Sequence, residues 1–314
     1  MKSTIGFIVS GILIFSLTGI MLTSCKKDDV KGKNDYTSQS NLSQDEIAVE
    51  EITNESLDDV EGLLGNDNSE LKSGRVPCNA TVDSTEVIND TITIYITYDG
   101  LSCNGKRIRT GQVEIRKRAG TNFGMEGASV NIRHINFTVT RVGSGHSMTI
   151  NSSKTFTNVT GGYRFMLGHN GFDTLVHRVQ GTINIMFDDN SSRTWTIARQ
   201  LTYTGTRGDF ALTVEGFGSQ DNYDNLVTWG INRNGAQFYS IISDPVIYRQ
   251  SCDWDPVWGS KIQWQPGVDK SAIVTFGYND NNQLINLNAN ECPTRYRVDW
   301  SNGNFSGTRF IPLP

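Results

Sequence analysis

The sequence has little proline, little histidine and little charge for its length. Of its 314 residues, 7 are proline, 4 are histidine and 19% are charged, whereas 31 are glycine. Threonine, serine and asparagine are frequent throughout. This composition argues against a helical bundle or a coiled coil, and it is typical of strands joined by turns.

The sequence also lacks a basic surface. Residues 26–75 carry 13 acidic and 6 basic side chains, while residues 76–314 carry 20 acidic and 21 basic ones. The acidity therefore lies in the N-terminal segment, and the remainder is almost neutral. Because binding to a phosphate backbone needs a positive field, we expect no nucleic-acid partner.

Patterns that carry chemistry are missing as well. There is no phosphate-binding glycine loop and no serine nucleophile elbow, and no two cysteines have zinc-ligand spacing. The Asp/Asn-rich stretches at 221–225 and 279–282 suit turns and lack calcium-loop spacing. We expect no enzyme activity, no metal and no cofactor. A hydrolase with two facing carboxylates is the lowest-ranked alternative.

The N-terminus has the pattern of an export signal. Lys2 precedes an apolar run from Ile5 to Leu22, and Leu22-Thr23-Ser24-Cys25 follows. This tetrapeptide resembles the lipobox of bacterial lipoproteins. The resemblance implies that residues 1–24 are a signal peptide and that Cys25 carries diacylglycerol, which would hold the chain to a membrane. A retained transmembrane segment is the alternative.

The residues after Cys25 indicate the location to which the protein is exported. Lys26-Lys27-Asp28-Asp29 resembles the lysine-plus-acid export signal of Bacteroidota surface lipoproteins. That resemblance implies the outer membrane, facing the cell exterior. The alternative is a solvated charge cluster beside lipid headgroups.

Residues 25–75 are predicted to be a flexible tether. They are acidic and poor in aromatic residues, so they offer little apolar area to offset the entropy of ordering. Ser43 and Ser56 each begin a pattern with the spacing of a capping box, and Leu57, Val60 and Leu64 would share one helix face. Transient helices are the preferred interpretation, and a docked helix is the alternative.

From Val87 onward the hydrophobic pattern has a period of two. Thr91–Tyr98 alternates apolar and polar side chains, and Asp99-Gly100 follows as a turn. No convincing long helix follows. Similar segments recur at Gln112–Lys117, Ser129–Thr140, Thr182–Phe187, Arg193–Tyr203, Phe210–Glu215, Asn225–Asn232, Gln237–Ile242, Lys261–Gln265, Ala272–Tyr278 and Arg295–Trp300. We predict an all-β protein of antiparallel β-sandwich architecture in two lobes, residues 76–217 and 218–314. One extended sandwich is the alternative.

Four cysteines remain besides Cys25, and four cysteines allow three pairings. An even number in an exported chain favours disulfides. Because two lie early and two lie late in the sequence, we predict the bonds Cys78–Cys103 and Cys252–Cys292. Free thiols are the alternative.

All six tryptophans lie between residues 195 and 300. Trp254 and Trp258 lie in a turn-like segment with Asp253 and Asp255. Aromatic planes stack on the C–H faces of sugars, and carboxylates accept hydrogen bonds from sugar hydroxyls. We predict that these four residues form a ligand-binding site. The other tryptophans, Trp195, Trp229, Trp264 and Trp300, are predicted to fill the core.

Three triplets resemble the Asp-Ser/Thr-apolar O-glycosylation site of exported Bacteroidota proteins. They place the candidate glycans on Ser84, Thr91 and Thr174. Such a modification would be bulky and would lie on the surface.

More generally, the chain resembles lipoproteins of Bacteroidota. The resemblance rests on three segments, 99–105, Trp229–Arg233 and Glu291–Thr294, and it implies no particular activity. The leading hypothesis is a surface-displayed binding or adhesion module, for glycan or for a neighbouring surface protein. The alternative is a structural or accessory subunit of an outer-membrane assembly.

Overall fold

The computed structural model describes residues 29–65, 76–206, 208–287 and 291–313, with side chains from residue 37 onward. Within them, one long helix, α1 (Asp29–Leu64), precedes the strands, and two short 3-10 turns lie at Arg164–Met166 and Gln250–Cys252. The described strands are β1 (Ala80–Ser84), β2 (Thr91–Leu101), β3 (Arg107–Arg118), β4 (Ser129–Arg141), β5 (Ser147–Asn158), β6 (Leu175–Phe187), β7 (Ser192–Thr206), β8 (Asp209–Gly216), β9 (Gly218–Gln220), β10 (Tyr223–Ile231), β11 (Gln237–Arg249), β12 (Asp255–Gln265), β13 (Lys270–Tyr278), β14 (Arg295–Asn302) and β15 (Phe305–Pro312).

These strands belong to one antiparallel sheet, which confirms the all-β prediction. The order runs from β1 to β7 and continues through β10 to β15, while β8 pairs with β7 and β11 and β9 pairs with β10. The predicted division into two lobes near residue 217 is not marked by a break in the strand pairing. Strands β7 and β10 share a ladder, as do β8 and β11, so the sheet continues across the predicted boundary.

Alternation sets the two faces of the sheet. In β2, Ile94, Ile96 and Tyr98 are buried and the intervening residues are more exposed. Strand β5 follows the same rule with a partly polar inner face, since Ser152 and Lys154 are buried beside Ile150 and Phe156. That polar inner face explains why the hydrophobic pattern did not predict β5.

Helix α1 fills the concave side of the sheet, and here the structure differs from the predicted flexible tether. Most residues of the helix from Gln39 to Leu64 are buried or half-buried, Val49, Ile52 and Val60 among them, while Asn41 and Gln44 are exposed. Its contacts come from strands throughout the sheet, from Tyr98 on β2 to the backbone of Ser301 on β14. The sheet therefore curls around the helix, as in the docked-helix alternative.

Ion pairs explain why an acidic segment is stable there. Each acidic side chain from Asp45 to Glu61 meets a basic, amide or hydroxyl partner on the sheet side. The pairs are Asp45–Arg233, Glu46–Gln263, Glu50–Lys261, Glu50–Arg199, Glu51–Arg107, Glu51–Arg141, Glu55–Arg109, Asp58–Arg164, Asp59–Arg109 and Glu61–Arg164. Buried charges are tolerated when they are paired in this way.

Among the described residues, no helix combines the length and the apolar character needed to cross a bilayer.

Candidate functional site

The two predicted disulfides are confirmed. Cys78 is bonded to Cys103 and Cys252 to Cys292, closing loops of 25 and 40 residues. The first bond ties the segment before β1 to the β2–β3 turn. The second ties the 3-10 turn before β12 to the connection between β13 and β14.

The predicted Trp254/Trp258 segment is not one flat platform. Asp253 and Trp254 have left-handed backbone conformations, with φ of 55° and 63°, so the chain turns sharply before β12. Trp254 is half-buried and packs against the core, whereas 37% of Trp258 is exposed. The two rings therefore have different surroundings.

The two aspartates of this segment are also separated by the turn. The exposed Asp253 accepts a hydrogen bond from Lys106 at 2.6 Å, while Asp255 begins β12 and is half-buried. Burial raises the pKa of Asp255 to about 6, with Lys106 opposing the shift and Asp253 adding to it. The ligand-binding role of these four residues stays a prediction.

The candidate modification sites lie at or near the surface. Ser84 and Thr91 are half-buried at the end of β1 and the start of β2, and Thr174 is exposed just before β6. Their glycosylation stays a prediction. Cys25, the predicted lipid site, lies outside the described residues.

A groove on the outer face of the sheet was not predicted. Its volume is about 550 Å³, and it crosses β4, β5, β6 and β7 as far as β10. The lining side chains are hydroxyl, amide and aromatic groups. They include Asn131, Ser153, Thr155, Gln180, Thr196, Phe217, Ser219 and Trp229.

The register of the sheet explains how these residues come together. Asn131 lies opposite Thr155, and Thr155 lies opposite Gln180, so three neighbouring strands place them in one row. Thr196 lies opposite Trp229 where β7 meets β10. Residues that face each other across strands share one side of the sheet.

One wall of the groove is the segment between β8 and β9. The Phe217 amide donates a hydrogen bond to the carbonyl of Ala198 on β7, at 3.2 Å. Gly218 lies directly on the ring of Trp229, where an added Cβ would come within 2.5 Å of a ring carbon. Only glycine permits this approach, which holds the wall against the sheet.

The polar groups of the groove are open to a ligand. Elsewhere on the outer face, hydroxyls pair with one another, as Thr138 does with Thr149 at 2.8 Å. Within the part of the chain that the structure describes, the side chains of Ser153, Thr155 and Gln180 make no such bond. They are therefore free to donate to and accept from a bound molecule.

Among the described residues that line the groove, Lys154 is the basic one, and its side chain faces away from the groove. Only 1% of Lys154 is exposed, because its side chain belongs to the inner face of β5. Burial lowers the pKa of Lys154 to about 7, and the nearby Arg199 acts in the same direction. Thus no charged side chain of the described lining points into the groove.

A second depression of about 380 Å³ adjoins the groove. The two share Thr155, Gln180 and Phe217, and the second adds Glu126 and Arg178 at its far side. The Arg178 guanidinium lies 5.2 Å from the centre of the Phe217 ring. The charged side chains of Glu126 and Arg178 therefore line the second depression and not the groove itself.

Aromatic side chains continue the groove in the opposite direction. Trp229 lies opposite Tyr239, and Tyr239 opposite Trp264. Tyr223 covers Tyr239 with 4.7 Å between ring centres and meets Trp264 edge-on at 4.6 Å. Trp229, Tyr223 and Trp264 are half-buried, so part of each ring reaches solvent.

The core assignment of the tryptophans is confirmed only for Trp195, which is fully buried. Trp229 and Trp264 lie on the outer face, and Trp300 is half-buried against the core. The alternation of side chains along β12 is the signal that could have placed Trp264 on the outer face. Its buried inner residues are the polar Lys261 and Gln263, which leaves Trp264 on the outer side.

Within the described residues, no group of three or more His, Cys, Asp or Glu side chains is arranged to hold a metal ion. No family model matches the chain, and neither a curated protein nor a solved structure shows significant similarity to it.

Proposed function

We propose that this chain is an exported lipoprotein, anchored in the outer membrane through Cys25, whose sheet binds carbohydrate on its outer face. The lipobox and the lysine-plus-acid segment support the address. Two disulfides agree with folding outside the cytoplasm. The proposal includes no catalytic step.

One observation carries the binding role. The outer groove combines the half-buried rings of Trp229 and Phe217 with polar side chains, those of Ser153, Thr155 and Gln180, that have no partner within the described part of the chain. Sugars present both C–H faces and hydroxyls, so they need this combination of stacking and hydrogen bonding. A binding site of this kind is concave and has a few well-placed polar groups.

A glycan array with the chain from residue 29 to residue 314 tests the proposal. We expect binding to at least one carbohydrate, and we expect Trp229→Ala to lose it. Trp258→Ala is the matched control, since it removes an exposed tryptophan outside the groove. Absence of any bound carbohydrate would contradict the binding role. Loss in Trp258→Ala alone would move the site to the segment around Asp253.

A second candidate function is an accessory subunit of an outer-membrane assembly. Within the described residues, β15 pairs with β14 alone, so its eight residues present a free backbone edge. An added strand from a partner can pair with such an edge. Crosslinking in native membranes would favour this candidate if a stoichiometric partner reacted at Phe305–Pro312, and its absence would count against it.

A further inference from the structure

The groove and the aromatic side chains beside it form one continuous row across the sheet. Each member lies opposite the next on the neighbouring strand. In order, the row consists of Ser153, Thr182, Thr196, Trp229, Tyr239 and Trp264. Neighbouring strands lie about 4.8 Å apart, so the row extends for roughly 24 Å along the curved surface.

The direction of the row limits the shape of a ligand. It runs across the strands and not along them, and Phe217–Ser219 forms a wall on one side. The half-buried rings of Trp229 and Trp264 belong to strands two positions apart, which separates them by about 10 Å. This arrangement fits a ligand with repeated apolar faces along one extended axis.

The chemistry of the row limits the charge of a ligand. Its hydroxyl end has Ser153, Thr182 and Thr196, and its aromatic end has the two tryptophans with Tyr223 beside them. Just beyond the hydroxyl end, the exposed Arg133 of β4 lies opposite Ser153, and Glu114 already pairs with Arg133 at 3.2 Å, while Lys154 faces the interior. A charged ligand would lose its hydration without gaining an ionic partner there.

We propose that this row binds an extended, uncharged polysaccharide chain that crosses β5, β6, β7, β10, β11 and β12. Two sugar rings of the chain, with one ring between them, lie against Trp229 and Trp264, and sugar hydroxyls bond to Thr196, Thr182 and Ser153. The inference rests on the proposed carbohydrate function and adds the length, the direction and the charge of the ligand.

The test is isothermal titration calorimetry with the chain from residue 29 to residue 314. The probes are disaccharides, tetrasaccharides and hexasaccharides derived from cellulose, xylan, mannan and chitin, with oligogalacturonate as the charged probe. We expect one uncharged series to bind, with an affinity that rises by roughly tenfold or more from disaccharide to hexasaccharide. We expect oligogalacturonate to bind more weakly than that series at equal length.

Two single variants test the row itself. Trp229→Ala and Trp264→Ala are each expected to weaken hexasaccharide binding by roughly tenfold and to reduce the gain with length. Thr182→Val changes an exposed hydroxyl without removing bulk, so it gives the same readout if a tryptophan variant does not fold. Thr138→Val is the matched control away from the row, and it should bind as the original chain does.

The outcomes separate the two proposals. If no probe binds, the carbohydrate function is contradicted, and the inference that rests on it is too. If a series binds but a disaccharide binds as tightly as a hexasaccharide, the extended ligand is wrong while carbohydrate binding stands. Two other results would contradict the proposed row: tighter binding of oligogalacturonate than of the uncharged series, or hexasaccharide binding by all three row variants that equals that of the original chain. Carbohydrate binding as such would still stand.

Discussion

At the scale of single residues, one buried carboxylate joins the helix to three strands. Both oxygens of Glu50 accept hydrogen bonds from Lys261, and Tyr248 donates to Glu50 at 2.8 Å. Arg199 completes the cluster at 3.2 Å. Burial alone would raise the pKa of Glu50, but Lys261 and Arg199 hold it below its ordinary value.

Glu50→Gln should therefore destabilise the protein strongly. The variant keeps the shape but leaves Lys261 and Arg199 buried without a charged partner, a loss of about 3–5 kcal/mol in the free energy of unfolding. Asp253→Asn is the matched control, because it breaks an exposed pair with Lys106 and should cost at most about 1 kcal/mol. Urea unfolding of both variants measures the difference, and equal losses would contradict the argument.

Buried His177 should make stability depend on pH. Phe123, Phe156 and Tyr203 surround its ring, and neither ring nitrogen has a hydrogen-bond partner in the described part of the chain. Burial, assisted by Arg164, lowers its pKa to about 3. Since the unfolded chain binds this proton below about pH 6.5, stability is lost as the pH falls from there toward 3.

His177→Phe should remove that part of the acid sensitivity. Phenylalanine fits an aromatic cage and binds no proton, so the variant should gain on the original chain as the pH falls, by up to about 4 kcal/mol. His169→Phe, an exposed histidine on the β5–β6 connection, is the control. Thermal unfolding at several pH values measures the gain, and parallel curves for His177→Phe and the original chain would argue against it.

At the scale of elements, most of the strands could be predicted, whereas the docking of the helix could not. Alternation identified β2, β4 and β7 because apolar side chains mark their inner faces. The side chains that stabilise α1 lie far away in the sequence, with Glu50 and Lys261 separated by 211 positions. A local window over residues 37–64 therefore shows only unpaired acids, which suggest a solvated tether.

The same reasoning applies to the groove. Only part of it lay in predicted strands, since Thr196 and Trp229 did while Ser153 lies on the unpredicted β5. The proximity of these residues depends on which strands pair and in what register. The pairing of β7 with β10 brings Thr196 to Trp229, and no local pattern indicates that ladder. The disulfides were easier to predict from the sequence, because an even number of cysteines in two separate groups limits the possible pairings.

Removal of α1 should prevent folding. A chain that begins at residue 66 loses Val49, Ile52 and Val60 from the core and leaves the inner basic side chains, Lys261 and Arg199 among them, without carboxylates. We expect it to be insoluble or to lack a cooperative thermal transition by circular dichroism. The chain from residue 29 is the control. Cooperative unfolding of the shorter chain would show that the sheet does not need the helix.

At the scale of the whole molecule, α1 determines which end of the sheet is nearest the predicted anchor. The helix begins at Asp29, close in sequence to Cys25. Its first buried turns meet the β12–β13 and β14–β15 end, where Gln39 bonds to the carbonyls of Ser271 and Ser301. Its last turn meets the opposite end, where Tyr163 bonds to the carbonyl of Leu64 at 3.3 Å.

A lipid on Cys25 should therefore orient the sheet relative to the membrane and not merely hold it nearby. Helix residues between Asp29 and Gln39 rise about 15 Å, so the β12–β13 turn should lie within a few nanometres of the bilayer, with the β5–β6 connection farther out. A polarity-sensitive fluorophore attached at Val268 or at Asp173, both exposed, reports the difference through quenching by lipid-bound spin labels in vesicles that carry the lipidated chain. We expect stronger quenching at Val268.

Cys25→Ser should abolish quenching at both positions, because the protein then leaves the membrane. Equal quenching in the lipidated chain would mean that the segment between Cys25 and the sheet lets the body turn freely.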